Sequence, residues 1–243
     1  MDRLVLICSV ALEAAPLLSA ADNVEPLAIP RLDAWSAGIA GSDIYVVTGG
    51  MGKTNAARAL TALVEGRGAR GVIGFGVGGA YRGSGLEVGA LAMATSEHYG
   101  DEGVETAEGW MSCEGIGIPL LARADTRYFN DFPLDHARVT AARRLLEEAG
   151  LHPQAGPFVT VSACSGTAPR GRALAERFGA ICETMEGAAY AHVAALYDLP
   201  FIEVRGISNM VEDRNLAAWD LKRAAAAAVA ALPLLISRWD DLS

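Results

Sequence analysis

Two glutamates and one asparagine are the residues of this chain best placed to do chemistry. Glu13 is a lone acid between Val10-Ala11-Leu12 and Ala14-Ala15-Pro16. Partial burial in such a setting raises a carboxyl pKa and makes a better general base, whereas a solvated first-turn helix glutamate is the plainer alternative. Glu186 follows Met185 at the start of an expected helix, in Glu183-Thr184-Met185-Glu186-Gly187-Ala188-Ala189. A carboxylate there accepts hydrogen bonds and counters positive charge, although a helix N-terminus also favours an acid on electrostatic grounds alone. Asn209 presents a donor and an acceptor on one planar amide, which suits it equally to reading a polar ligand edge and to a turn.

Two glycine-bearing motifs suggest nucleotide chemistry and fail on inspection. Gly52-Lys53-Thr54 has the ending of a phosphate-binding loop, but the glycine required five positions earlier is Val47. Gly74-Phe75-Gly76-Val77-Gly78-Gly79 fits a dinucleotide fingerprint, yet Tyr81-Arg82-Gly83-Ser84-Gly85 follows it where a helix is needed. What the second motif does support is close approach of the backbone to a ligand or to another segment.

These residues need a scaffold, and the apolar pattern supplies one. Runs of strand length at 4–9, 44–48, 71–75, 86–95, 157–162 and 201–207 alternate with helical spacing at 55–65, 134–148, 170–178, 186–197 and 216–239. Gly179 suits a helix C-cap and Pro200 a stop. Such alternation predicts an α/β fold whose mostly parallel or mixed sheet is covered on both faces. The irregular stretch 97–134 reads as a functional loop with short elements, and its exposed apolar positions are the first place to expect an interface.

With 243 residues, 51% hydrophobic and 20% charged, one large domain spanning 1–243 is expected. A formal charge of −9 offers no basic patch for nucleic acid or anionic lipid. Cys8, Cys113, Cys164 and Cys182 are scattered and share no ligand spacing with the four histidines, which fits reduced thiols of a cytoplasmic protein rather than a metal site. The opening 1–21 has some features of a secretory leader, but Asp2 and Glu13 interrupt them, and no apolar run is clean enough to span a membrane.

The Glu183–Ala189 motif, followed by Phe201-Ile202-Glu203-Val204-Arg205-Gly206-Ile207-Ser208-Asn209, resembles the signature of the nucleoside phosphorylase and nucleosidase superfamily. Gly52-Lys53-Thr54-Asn55-Ala56-Ala57 looks like that group's helix start, and Gly76–Ala80 like its ribose-side glycine turn. Within the superfamily, Ser162–Thr167, Tyr99–Gly103 and Arg205–Arg214 are similar to the futalosine hydrolase branch, whose members remove hypoxanthine from futalosine on a menaquinone biosynthetic route. The resemblance implies a three-layer αβα domain with a central mixed, partly barrel-like sheet. It also implies a purine nucleoside substrate, no cofactor or metal, and assembly as a homodimer or larger homo-oligomer.

Residue roles follow from the same resemblance. Glu13 occupies the position that activates water, Glu186 the one that binds the ribose hydroxyls, and Met185 the one that packs under the sugar. Gly78 and Gly79 belong to the ribose-side turn and Asn209 falls at the base, with Ser208 beside it in the substrate site; Ser165 or Thr167 is a further candidate to contact the base by hydroxyl or backbone groups. Asparagine at 209, where adenine-releasing relatives carry aspartate, predicts a 6-oxopurine. Phosphorylases of the group place an arginine and a hydroxyl residue where this chain has Gly74 and Val77, so water is the expected nucleophile. Ala163-Cys164-Ser165-Gly166-Thr167 lacks the aromatic that stacks on the base in adenine-specific relatives, leaving that partner unassigned. Arg127 is a conceivable partner for futalosine's aryl carboxylate, a surface arginine being the plainer reading. The alternatives are a methylthioadenosine/S-adenosylhomocysteine nucleosidase, a purine nucleoside phosphorylase, and a nucleoside-binding protein without catalysis.

Overall fold

The structure, a computed structural model, describes residues 2–123 and 125–242. Met1 at the head of the leader-like stretch, Ala124 within 97–134, and Ser243 lie outside the described residues. In chain order, β1 (Leu4–Cys8) and α1 (Ala11–Ser19) precede β2 (Asp22–Pro26), β3 (Asp33–Ile39), β4 (Ser42–Thr48) and α2 (Lys53–Arg67). Two long strands follow, β5 (Gly71–Tyr81) and β6 (Leu91–Tyr99). Short pieces come next: β7 (Val104–Thr106), β8 (Gly109–Met111), α3 (Cys113–Ile116), β9 (Leu121–Arg123), β10 (Thr126–Tyr128) and β11 (Asp131–Pro133). The chain ends with α4 (His136–Glu148), β12 (Gln154–Thr160), α5 (Ala168–Phe178), β13 (Cys182–Thr184), α6 (Gly187–Leu196), β14 (Phe201–Val211) and α7 (Leu221–Ser237).

The central sheet closes on itself. β5 pairs in parallel with β14, β14 runs antiparallel to β6, β6 and β12 are parallel, β12 and β13 are parallel, and β13 returns antiparallel to β5. From this five-stranded ring the sheet continues through β1, β4, β3 and β2. β1 is flanked in parallel by β4 and β5 and is buried along its whole length, which is why it reads as an unbroken apolar run.

Alternation along β1 divides the core between the two faces. Leu4, Leu6 and Cys8 pack with Ala14 and Leu17 of α1, Val139, Ala142 and Leu146 of α4, and Leu232 and Leu235 of α7. Val5 and Ile7 pack on the opposite side with Ala56, Leu60 and Leu63 of α2 and with Ala188–Ala194 of α6. The helices thus cover both faces of a mixed, partly barrel-like sheet.

Three departures from the sequence pattern matter for the site. The glycine stretch after position 75 is no turn: β5 continues through it, because β14 pairs with it as far as Val211↔Tyr81. The expected strand 86–95 begins later, at Leu91. The expected helix 216–239 is broken after a 3-10 turn, Leu216–Ala218: Trp219 is extended, and the Asp220 side chain accepts from Arg223 N–H to cap α7. Missed altogether were β2, β3 and β13, which are too short or too polar to show a strand pattern.

Among the described residues no helix is long and apolar enough to cross a membrane. Leu232 is completely buried where α7 meets the sheet. Replacement Leu232→Ala should therefore cost about 2–5 kcal/mol of unfolding free energy, read from the denaturant midpoint; a loss within a few tenths would mean that this face is not closely packed.

Candidate active site

A chamber of about 240 Å³ opens where β1, β5, β13 and β14 approach one another. Its walls bring together Glu13, Gly78, Gly79, Met185, Glu186, Ser208 and Asn209, seven residues singled out from the sequence. A narrower recess of about 50 Å³ shares the walls at Gly79, Cys164, Glu183, Asn209 and Trp219. Thr167 is not among the lining residues of either; it is exposed, at the N-cap of α5. Arg127 is exposed on β10 and lines a separate cavity with Trp110, Tyr128 and Arg177.

Glu13 projects from the first turn of α1 and is 1% exposed, not half-solvated. Its Oε2 accepts from Ser9 N–H (2.9 Å), Ser9 Oγ–H (2.8 Å) and Val10 N–H (3.1 Å), and its Oε1 from Val77 N–H (2.8 Å). Burial is thus fuller than the partial burial expected, and the carboxyl group is clamped by four donors. The clamp depends on Gly76, whose φ of +151° suits glycine and whose missing Cβ leaves the space that the Glu13 carboxylate fills.

Glu186 stands at the junction of β13 and α6, where Met185 and Glu186 turn the chain from strand to helix. Its Oε1 accepts from Gly52 N–H at 2.9 Å, and its Oε2 lies 3.7 Å from Arg205 Nη1. Burial pushes the carboxyl above the usual glutamate range, outweighing the opposing pull of Arg205 and the Gly52 amide. Lys53, next to Gly52, points elsewhere and is held by Asp101 (2.5 Å) and Glu102 (2.8 Å).

Arg205 is the residue whose role the sequence concealed. It is 1% exposed on β14, donates through Nε to Glu203 Oε1 at 2.7 Å and through Nη1 to Val77 O at 3.3 Å. Burial opposes its charge, but Glu203, Glu186 and Glu13 together hold the guanidinium firmly protonated. The available signal was a charged pair, Glu203 and Arg205, inside an otherwise apolar central strand.

Ser208 and Asn209 owe their placement to a bulge. The β14–β5 register shifts between Ile207 and Asn209, so Ser208 is the additional residue and Asn209 is re-aimed at the chamber. Asn209 Nδ2 donates to Met210 O at 3.0 Å, and its Oδ1 accepts from Ser208 Oγ at 2.8 Å. Each end of the amide keeps one further hydrogen-bonding position. Glu183 accepts from Ser165 N–H (2.7 Å), Ser165 Oγ–H (2.6 Å) and Tyr81 O–H (3.1 Å), fixing the loop that carries Cys164.

Trp219 is an aromatic wall residue that the sequence did not single out. The break before α7 places it on the walls of both the chamber and the recess. It could not be found in advance, since a continuous helix from 216 would direct it differently. Among the described residues no group of three or more His, Cys, Asp and Glu side chains is arranged to hold a metal ion.

The chain matches the phosphorylase superfamily over residues 3–238. It is 35% identical to the futalosine hydrolase of Thermus thermophilus over 204 residues, 84% of this chain and 85% of that one. With the futalosine hydrolase of Streptomyces coelicolor it shares 33% over 69% of this chain and 67% of that protein. Among solved structures, the 5'-methylthioadenosine/S-adenosylhomocysteine nucleosidase of Neisseria meningitidis, in complex with methylthio-immucillin-A, superposes with a TM-score of 0.84 at 22% identity, covering 98% of this chain and 99% of that one. A nucleosidase of the same name from Shewanella sediminis is 27% identical over 81% of each chain. The fold is therefore shared with 5'-methylthioadenosine/S-adenosylhomocysteine nucleosidases while the sequence sides with another branch, and the chain belongs to the phosphorylase superfamily, among its futalosine hydrolases.

Proposed function

We propose that the protein hydrolyses the N-glycosidic bond of futalosine, releasing hypoxanthine and dehypoxanthine futalosine. The observation that carries this reading is the convergence of Glu13, Glu186 and Asn209 on one chamber, with Arg205 buried behind the two acids. Breaking such a bond requires a nucleophile, an anion beside a sugar that becomes cationic, and neutralisation of the departing purine. Clamped Glu13 is the base that orients and deprotonates water. Glu186 accepts from the ribose hydroxyls and offsets the oxocarbenium charge, with Met185 packed under the sugar. The free positions of the Asn209 amide donate to a 6-oxo group and accept from the protonated ring nitrogen beside it.

Water is favoured over phosphate by electrostatics. The chamber walls carry Glu13, Glu183 and Glu186 and no lysine or arginine, and Arg205 is already engaged by carboxylates. A phosphate entering there would meet repulsion without a bidentate partner. Position 74, where a phosphorylase arginine would begin, faces Phe201 and Glu203.

Trp219 offers the purine or sugar a flat apolar surface. At the mouth, Val10, Met51 and Leu221 are exposed apolar side chains suited to the aryl end of futalosine's tail. The protein works in the cytoplasm with its four thiols free, and it assembles as a homo-oligomer through the exposed Val104, Met111, Ile116 and Ile118.

Chromatography of products from futalosine, inosine and methylthioadenosine, each with and without phosphate, tests the reading. Phosphate-independent hypoxanthine release from futalosine is expected; adenine release from methylthioadenosine would favour the other nucleosidase, and a phosphate requirement would favour phosphorolysis. Substitution Asn209→Asp should set acceptor against acceptor at the 6-oxo group, costing about 1–3 kcal/mol, or roughly fivefold to 150-fold in kcat/KM. The ratio of adenine to hypoxanthine nucleoside turnover should rise with it, and an unchanged ratio would remove Asn209 from base selection.

The pH profile follows from Glu186, which must be ionised to act. Because burial raises its pKa, activity should fall with acidification while the pH is still above the ordinary glutamate range. The acid limb attributable to this group should vanish in Glu186→Gln, along with most of kcat; retention of the same limb would assign it to another acid.

A further inference from the structure

A second pair of acids lies behind the chamber and is not explained by the reaction just described. Glu97 of β6 and Glu203 of β14 are both 0% exposed, buried against the start of α6. Glu97 Oε2 accepts from Thr160 Oγ1 at 2.9 Å, and Glu203 Oε1 accepts from Arg205 Nε at 2.7 Å. The other two oxygens, Glu97 Oε1 and Glu203 Oε2, are buried without a donor among the described residues. The two carboxyl groups meet over Gly187, the first residue of α6: a Cβ there would collide with both Glu97 Oε1 and Glu203 Oε1, the latter at 2.7 Å.

Two carboxylates side by side in a dry interior cannot both be ionised without a large cost, and one proton between them removes it. Arg205 supplies a single positive charge, which Glu203, Glu186 and Glu13 already share. A fourth anion would be uncompensated. We propose that Glu97 and Glu203 form a carboxylic acid–carboxylate pair sharing one proton in the space left by Gly187, and that this pair positions Arg205 and thereby sets the charge state of Glu186.

Glu97 is the proton carrier. Burial and the adjacent Glu203 push its pKa well above the usual range, against the weaker pull of Arg205 and Thr160. Glu203 Oε1 is already taken by the Arg205 Nε hydrogen bond, so of the pair it is Glu203 that faces the cation. The titratable neighbours are Tyr99 of β6 and Cys182 of β13, neutral groups pushed further up, and two histidines whose pKa burial lowers, His98 next to Glu97 and His192 of α6 against Tyr99, while Thr160 and Thr184 are hydroxyls bonded to each other at 3.0 Å. With Glu97 protonated, part of the Glu203 charge is absorbed by that hydrogen bond, and more of the guanidinium field reaches Glu186. Neither Glu97 nor Glu203 lines the chamber, so both act through Arg205.

The inference rests on the nucleosidase reading for its kinetic consequence but not for its direct test. Infrared spectra of the intact protein, compared between wild type and Glu97→Gln near neutral pH, should show a protonated-carboxyl band in the wild type that is lost in the variant. Absence of the band, or its persistence in Glu97→Gln, would overturn the shared proton whatever the substrate proves to be.

Kinetics with futalosine then separate positioning from mere packing. Glu97→Ala leaves Glu203 a full competitor for Arg205, so the acid limb of kcat should move to higher pH and kcat should fall by roughly 10² through misplacement of the guanidinium, with KM little changed. Glu97→Gln, which can still donate to Glu203, should restore most of kcat and the native limb. Glu203→Gln frees Arg205 for Glu186 and should move the limb the opposite way. Shifts in the same direction for Glu97→Ala and Glu203→Gln, or no shift in either, would refute the positioning role, whereas an infrared band with no futalosine turnover by the wild type would leave the pair standing and sink the substrate assignment.

Discussion

A guanidinium without water must be surrounded by anions, and the organisation of this protein follows from satisfying Arg205. Its side chain leaves β14 toward the interior, where desolvation would be prohibitive without carboxylates at hand. Glu203 comes from the same strand, Glu186 from the start of α6, and Glu13 from the first turn of α1. One cation therefore draws together elements that are far apart in the chain. It also accounts for the burial of the acids: each glutamate is tolerated because the arginine is there, while Glu13 and Glu186 still reach the chamber wall.

Close approach of backbones makes that arrangement possible. The closed ring puts β5 beside β14, and the glycine-rich half of β5 faces the side chains of Glu13 and Arg205. A side chain at Gly76 would displace the Glu13 carboxylate, and one at Gly187 would displace Glu97 and Glu203. Gaps in the strand and at the helix start are thus filled by the charged groups themselves. The bulge at Ser208 completes the wall by turning Asn209 toward the chamber after a strand otherwise committed to the core.

The division between binding and chemistry also has a physical basis. Groups that handle charge are buried and multiply hydrogen-bonded, and so are held in place before substrate arrives. The remaining wall residues Trp219, Val10, Met51 and Leu221 are partly or largely open and apolar. Apolar contact tolerates variation in shape, whereas an ion network does not, and this is consistent with one fold serving relatives that act on different nucleosides.

From the sequence alone, the alternation of apolar strands and amphipathic helices determined the α/β class, and the Met185-Glu186 and Ser208-Asn209 motifs with Glu13 pointed to residues that line one chamber. These features are local: periodicity and short motifs are written in neighbouring residues. The continuation of β5 through its glycines, the break that carries Trp219 into the chamber, the displacement of Thr167 and Arg127 from it, and the ion network around Arg205 were decided only by tertiary structure. Each depends on a partner distant in the chain: β14 for β5, Asp220 capping for α7, and acids from α1, α6 and β14 for the arginine. Residue type announces that a charge is present, but only packing decides which opposite charge it meets and whether water stands between them.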